Sequence, residues 1–287
     1  MLVERDVSRV DVVCTDLDGT FLGEQSQLIA RNVAAVRQAR RAGIVVAPAT
    51  ARSILSVRKI AESSFLGPYA VCSNGAVGYD LRRNAVMWKR TFPRGLVGDL
   101  VSQVRRAHPQ YRFLYETADV LMAEPDFFPV APKGFGDIAK VNSVPDSGEL
   151  VKVIVRSGGV SCQELIAGLR EFAPEVELVQ GSVDWVEVLP HGVGKGLGVG
   201  LLSEVCGAQL EEVAVIGDHL NDLSMFEIAG HAFAVGNAHR QLRDAANEVV
   251  STNESGGVAD VLEAVVARFS VVLADVTLPL DVPMPPS

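Results

Sequence analysis

Over the first third of the chain, short apolar runs alternate with amphipathic stretches. Residues 10–15, 44–49 and 69–72 are nearly continuous apolar runs of strand length. Between them, residues 30–42 and 53–63 carry apolar positions at helical spacing, the first stretch closed by Gly43 as a C-terminal stop. The rhythm returns late in the chain, with helical spacing at 195–205 and 222–229 and apolar runs at 213–217 and 232–235. Runs without polar alternation, separated by helices, predict α/β architecture: a parallel sheet buried on both faces.

Between about residues 79 and 190 the pattern differs. Strand-like pieces lie at 85–91, 111–115, 150–156, 176–179 and 185–189, with one helix over 94–108 and another after the capping box Ser161-x-x-Glu164. The simplest organisation is one sheet interrupted by an inserted α+β domain. The core then comprises residues 1–82 and 190–287, the insertion 83–189, and the crossings near 79–82 and 189–192 act as hinges. Prolines at 279, 283, 285 and 286 make residues 275–287 a tail that continues neither helix nor central strand.

Composition narrows the class. The chain has 287 residues, 48% apolar and 21% charged, which excludes a disordered or fibrous protein, and no apolar run is long enough to span a membrane. Lys and Arg number 26 against 35 Asp and Glu, a net charge of -9 that disfavours nucleic acid and anionic membranes as partners. Nothing fixes an oligomeric state. Cys14, Cys72, Cys162 and Cys206 form no C-x-x-C pair and residues 1–10 lack a signal-like apolar segment, so a reduced, cytoplasmic protein is expected.

Polar clusters follow the apolar runs, where parallel sheets bind ligands. Asp16 and Asp18 end the first run, and residues two apart on a strand point to one side. Thr50-Ala51-Arg52, Asn74-Gly75 and Gly217-Asp218-His219-Leu220-Asn221-Asp222 follow the others. Lys195, in Gly192-Val193-Gly194-Lys195-Gly196, does not belong to a P-loop, because Leu189 stands at the first glycine position and Gly196 where a Ser or Thr would bind metal. Converging Asp16, Asp18, Asp218 and Asp222 repel one another unless a divalent cation lies among them, and oxygen donors favour magnesium (Mg2+) over zinc. Thr50, Lys195 and Asn221 supply donors suited to phosphate oxygens. A carboxylate nucleophile, a metal and phosphate donors together imply phosphoryl transfer.

Asp16-x-Asp18-Gly19-Thr20, Thr50-x-Arg52, Lys195 and Gly217-Asp218-x-x-Asn221-Asp222 resemble the four motifs of the haloacid dehalogenase superfamily. The insertion, Ser73-Asn74-Gly75-Ala76 and Gly257-Val258-Ala259 are similar to its Cof-type, subclass IIB sugar-phosphatase branch. That resemblance implies a Rossmann-like core under an α+β cap that closes over the site. It makes Asp16 the nucleophile and Asp18 the general acid and base. It assigns the metal to the Asp16 carboxylate, the Asp18 backbone carbonyl and Asp218, with Asp222 close by, and the phosphoryl oxygens to Thr50, Ala51, Lys195 and Asn221. The implied activity is magnesium-dependent hydrolysis of a small phosphate ester, a sugar or cofactor phosphate; a phosphomutase or a non-catalytic phosphate-binding regulator are the alternatives.

Two departures bear on the Thr50 loop. Ala51 replaces the family's usual glycine, leaving Arg52 either a substrate contact or half of a structural ion pair, and Pro48 falls near the end of an interior strand. His219 is a substrate contact or a loop bystander. Trp88, Trp185, Phe127 and Phe128 either line a pocket or pack in the insertion's core.

Overall fold

The computed structural model describes residues 10–128, 138–145, 149–172, 175–181 and 184–276. Residues 1–9, Pro129 and the proline-rich segment after 276 lie outside the described residues. The chain opens with β1 (Val12–Thr15), α1 (Ala30–Arg41), β2 (Val45–Pro48), α2 (Ile54–Ser64) and β3 (Tyr69–Cys72), then β4 (Val77–Asp80) and β5 (Ala85–Lys89). The middle segment holds α3 (Leu96–Ala107), β6 (Arg112–Glu116), β7 (Leu121–Ala123), β8 (Ile138–Lys140), β9 (Lys152–Arg156), α4 (Cys162–Phe172), β10 (Val176–Gln180) and β11 (Trp185–Pro190). The last part holds α5 (Lys195–Cys206), β12 (Val213–Gly217), α6 (Leu223–Ile228), β13 (His231–Ala234), α7 (Arg240–Ala245), β14 (Glu248–Val249) and α8 (Gly257–Val276). Residues 275 and 276, expected to open the tail, instead end α8.

A five-stranded parallel sheet runs β14-β13-β12-β1-β2, and β1 is buried along its whole length, as its lack of alternation requires. A parallel bridge from Ala49 to Val71 brings β3 alongside β2. In register, Thr15 lies opposite Ile216 on one side and Pro48 on the other. The residues after all three strands therefore emerge at one edge, which is what gathers the site. Pro48 costs the β1 ladder nothing: Val45 and Ala49 donate their N–H groups to Asp11 and Thr15, whereas Thr50 donates to Val71, so the even-numbered positions face β3.

The second sheet is six-stranded, ordered β10-β11-β9-β6-β7-β8 and antiparallel except between β7 and β8. Its alternation is strict. Phe113, Tyr115, Val153, Val155, Val186 and Val188 bury one face against α3 and α4, whose apolar stripe includes Leu100, Val104, Leu165 and Leu169. The opposite face carries Glu116, Lys152 and Glu187 beside Leu114 and Ile154. Phe127 is buried in that small apolar cluster with Phe128 packed against it, so both are core residues.

The crossing into the second sheet lies later than expected. β5 pairs with β4, and β4 with β3, in an antiparallel three-stranded sheet, and Met87 and Trp88 pack against the first core. Residues 79–82 belong to this hairpin, whose turn is closed by Arg82 and Arg83 donating their backbone N–H groups to Asp80 at 2.9 and 3.0 Å. Trp88 lies against Gly78 and donates through Nε1 to the Gly75 carbonyl at 3.3 Å, and it does not line the cavity between the first and second sheets. Among the described residues, no helix is long and apolar enough to cross a membrane.

Candidate active site

Asp16 leaves β1 with its N–H donated to Ile216, and the chain then turns so tightly that Leu22 donates back to Leu17. Gly19 makes that turn at φ +78°, where a side chain would also meet the Asp218 carboxylate at 2.6 Å. The next residue, Thr20, is buried and donates its hydroxyl to Asp218 Oδ1 at 2.7 Å. Lys195 opens α5 and is fully buried. Its ammonium lies 2.6 Å from both Asp16 Oδ1 and Asp222 Oδ1. The other Asp222 oxygen accepts from the N–H groups of Asp218 and His219, at 2.9 and 3.0 Å. Asp222 thus ties the β12 loop to the lysine.

Carboxylate oxygens of Asp16, Asp218 and Asp222 all lie within 4.8 Å of one another. Burial pushes the Asp16 carboxyl well above the usual range; Lys195 opposes this, and Asp222, Asp218 and Asp18 add to it. Asp218 is also raised, chiefly by burial, with the Thr20 hydroxyl acting the other way. For Lys195, burial alone favours the neutral amine, but Asp16 and Asp222 overcome it and hold the ammonium above its ordinary range. Three carboxylates around one ammonium leave a deficit of positive charge. The donors are hard oxygens with no Cys or His among them, which fits a magnesium-like cation. Asp222 is already occupied at both oxygens, so Asp16 and Asp218 are the better placed pair and Asp222 stands behind them.

The helix that carries Lys195 is set by a close approach. Gly75 has φ +96°, and a Cβ there would lie 2.2 Å from the carbonyl of Gly194, the residue before the lysine. Gly75→Ala is expected to cost on the order of 2 kcal/mol or more and lower the melting temperature by several degrees. Co-melting of this variant with the wild type would overturn the close approach.

Asp18 does not point into the carboxylate group. Arg52 grips it with two hydrogen bonds, Nε to Oδ2 at 2.7 Å and Nη2 to Oδ1 at 2.5 Å, and Nη2 also donates to Ser26 Oγ at 2.6 Å. The ion-pair alternative for Arg52 is thus the arrangement seen, at the rim of the cavity. Ala51 has no positive φ, so the missing glycine is not needed there. Thr50 is buried and its Oγ1 accepts from the Arg52 N–H at 3.1 Å, which leaves its own hydroxyl proton for a ligand. Asn221 donates its amide to Asn74 Oδ1 at 3.1 Å and also lines the cavity.

A cavity of about 530 Å³ separates the two sheets. From the first it is lined by Asp16, Thr50, Arg52, Asp218, His219 and Asn221, and from the second by Glu116, Lys152, Trp185 and Glu187. His219 is therefore a lining residue, with its ring edge-on to His239 at 6.2 Å. Thr20 stands in the first motif without a role assigned to it, and Glu116, Lys152 and Glu187 are not singled out in the sequence. Charged residues interrupting otherwise apolar strands were the available signal for the last three.

The fold and the site together define an α/β protein with an acidic, lysine-bridged pocket at the exit edge of its parallel sheet, roofed by an inserted α+β layer. The chain belongs to the haloacid dehalogenase-like hydrolase family, whose sequence profile matches residues 13–262. It is 28% identical over 281 residues to phosphatase YwpJ of Bacillus subtilis, covering 88% of this chain and 98% of that one. It is also 28% identical over 277 residues to the 5-amino-6-(5-phospho-D-ribitylamino)uracil phosphatase YwtE of the same organism, covering 86% and 95%. The solved structure of a haloacid dehalogenase-like hydrolase from B. subtilis matches with a TM-score of 0.77 at 26% identity, over 88% of this chain and 99% of that one.

Proposed function

We propose that the protein is a magnesium-dependent phosphatase of small phosphorylated metabolites, sugar or cofactor phosphates, working through an aspartyl-phosphate on Asp16. The observation that carries this reading is the clamp of buried Lys195 between Asp222 and Asp16, the latter of which lines the cavity. The ammonium fixes one oxygen of Asp16 and leaves the other to attack phosphorus, forming the acyl phosphate as the ester P–O bond breaks. Asp18 gives its proton to the leaving alkoxide; its carboxylate then takes a proton from the water that attacks the acyl phosphate. For this the Arg52–Asp18 pair opens, and the freed guanidinium turns to the phosphoryl group. Thr50 donates its hydroxyl to a phosphoryl oxygen, with Lys195 supplying charge from below and Asn221 adding its amide. Asp16 and Asp218, with Asp222 behind them and the Asp18 carbonyl as a further ligand, would hold magnesium, which would supply positive charge to the phosphoryl group when bound.

Residues 83–189 act in this reading as the cap that selects the leaving group, although β5 within that range packs on the core. Four free cysteines, three of them buried, suit a reducing cytoplasm. The phosphomutase alternative is disfavoured by charge. Among the described residues, once Arg52 has turned to the first phosphoryl group the other lining cation, Lys152, stays paired with Glu116 and Glu187, so against the lining carboxylates Asp16, Asp18, Asp218, Glu116 and Glu187 a second phosphate finds no free positive partner. Nor does a regulator without turnover explain why Asp16, Asp18, Lys195 and Asp218 are all present.

Phosphate release from a panel of small monoesters is the test. Release is expected with magnesium, falling to background in EDTA and returning when magnesium is restored. Release indifferent to EDTA would overturn the metal assignment; no release from any ester, with the protein folded, would overturn the phosphatase reading.

A further inference from the structure

Three charged side chains of the second sheet form a closed set against the loops of the first. Lys152, on β9, is buried, and its ammonium has three N–H donors. They are matched by three acceptors: the Ala51 carbonyl at 2.7 Å, Glu116 Oε2 at 3.1 Å and Glu187 Oε1 at 3.5 Å. The remaining carboxylate oxygens are also taken, Glu116 Oε1 by the Ser73 hydroxyl and Glu187 Oε2 by Asn74 Nδ2 at 2.6 Å. No donor of Lys152 is left for a substrate, although the residue lines the cavity.

The loop it touches is the one that carries Thr50 and Arg52. The Thr50 carbonyl accepts from Asn74 N and the Arg52 carbonyl from Ser73 N, both at 2.9 Å and both within the first layer. Ala51 has the one carbonyl of the three whose partner comes from the other layer. Burial alone would neutralise the Lys152 amine, but Glu116 and Glu187 more than restore its charge, so the bond to Ala51 is charge-assisted. We propose that Lys152, held by Glu116 and Glu187, is a positioning residue through which docking of the second layer sets the phosphate-binding loop at 50–52. This rests on the phosphatase reading for the identity of the ligand at that loop.

Because Lys152 acts through Ala51 and not on the leaving group, its loss should weaken every ester alike. Lys152→Met is measured on the ester panel and, by calorimetry with magnesium, for binding of inorganic phosphate to the whole chain. Lys152→Met with Glu187→Gln, which keeps the net charge of the set, is measured beside it in case the single variant strands too much buried charge to fold. Loss of a charge-assisted bond should raise KM for all esters, and the dissociation constant for phosphate, by a common factor of about tenfold or more, with the ranking of esters unchanged. A changed ranking would overturn the proposal in favour of leaving-group contact. Unchanged phosphate binding in a folded variant would overturn it in favour of a purely structural role. If the wild type releases no phosphate, the phosphatase reading fails, while the ratio of phosphate affinities still decides the role of Lys152.

Discussion

Asp16→Asn is expected to bring phosphate release from every ester to background, a fall of roughly 10⁴-fold or more, in a protein that still folds. The substitution keeps the shape of the side chain and an oxygen for Lys195, whose ammonium lies 2.6 Å from Asp16 Oδ1. It removes the second carboxylate oxygen, the atom that attacks phosphorus. Stability should not suffer, because the Asp16 charge is disfavoured first by burial and then by Asp222, Asp218 and Asp18, against the pull of Lys195. The sign of the pH effect follows. A carboxyl raised in the folded state contributes stability that is present below its unfolded value and is lost as pH rises through the folded one. In EDTA the wild type should therefore lose stability relative to Asp16→Asn as pH rises from acid towards neutral. Thermal unfolding of the two proteins at several pH values reads the slope, and the ester assay reads the chemistry. Turnover within a hundredfold of wild type would remove Asp16 from the nucleophile's place.

The parts of this molecule legible from sequence are those in which one residue's environment follows from its neighbours along the chain. β1 reads as a central strand because both of its faces are covered, and the carboxylates after it and after β12 read as site residues because parallel strands end at a common edge. Contacts that depend on register across strands were not legible. Glu116, Lys152 and Glu187 come from strands separated by tens of residues, and only the pairing of β6, β9 and β11 puts them on one face. β5 falls on the insertion's side of the boundary read from sequence for the same reason: nothing in residues 85–89 announces that Trp88 will lie against Gly78. Even within the motifs, spacing brought four aspartates together but did not reveal that Asp18 turns to Arg52 while Asp222 spends one oxygen on the lysine and the other on its own loop.

Lys195→Met should be more damaging to the fold than Asp16→Asn, although both stop turnover. Methionine fills a similar volume, so the loss is electrostatic: Asp16 and Asp222 are left buried without their shared cation, with Asp218 beside them. Breaking a buried ion pair from one side costs about 3–5 kcal/mol, which for a chain of this size is a fall in melting temperature of roughly 10 °C in EDTA. The deficit should shrink as pH is lowered, since Asp16 and Asp218, both already raised mainly by burial, accept protons in place of the missing ammonium. Adding Asp16→Asn to Lys195→Met should recover part of the loss, because it removes one of the stranded charges, and the double-mutant cycle should show a coupling of about 1–3 kcal/mol. A Lys195→Met protein as stable as wild type in EDTA at neutral pH, or a cycle with no coupling, would mean that the ammonium does not hold the two carboxylates, and the clamp on which the nucleophile assignment rests would be gone.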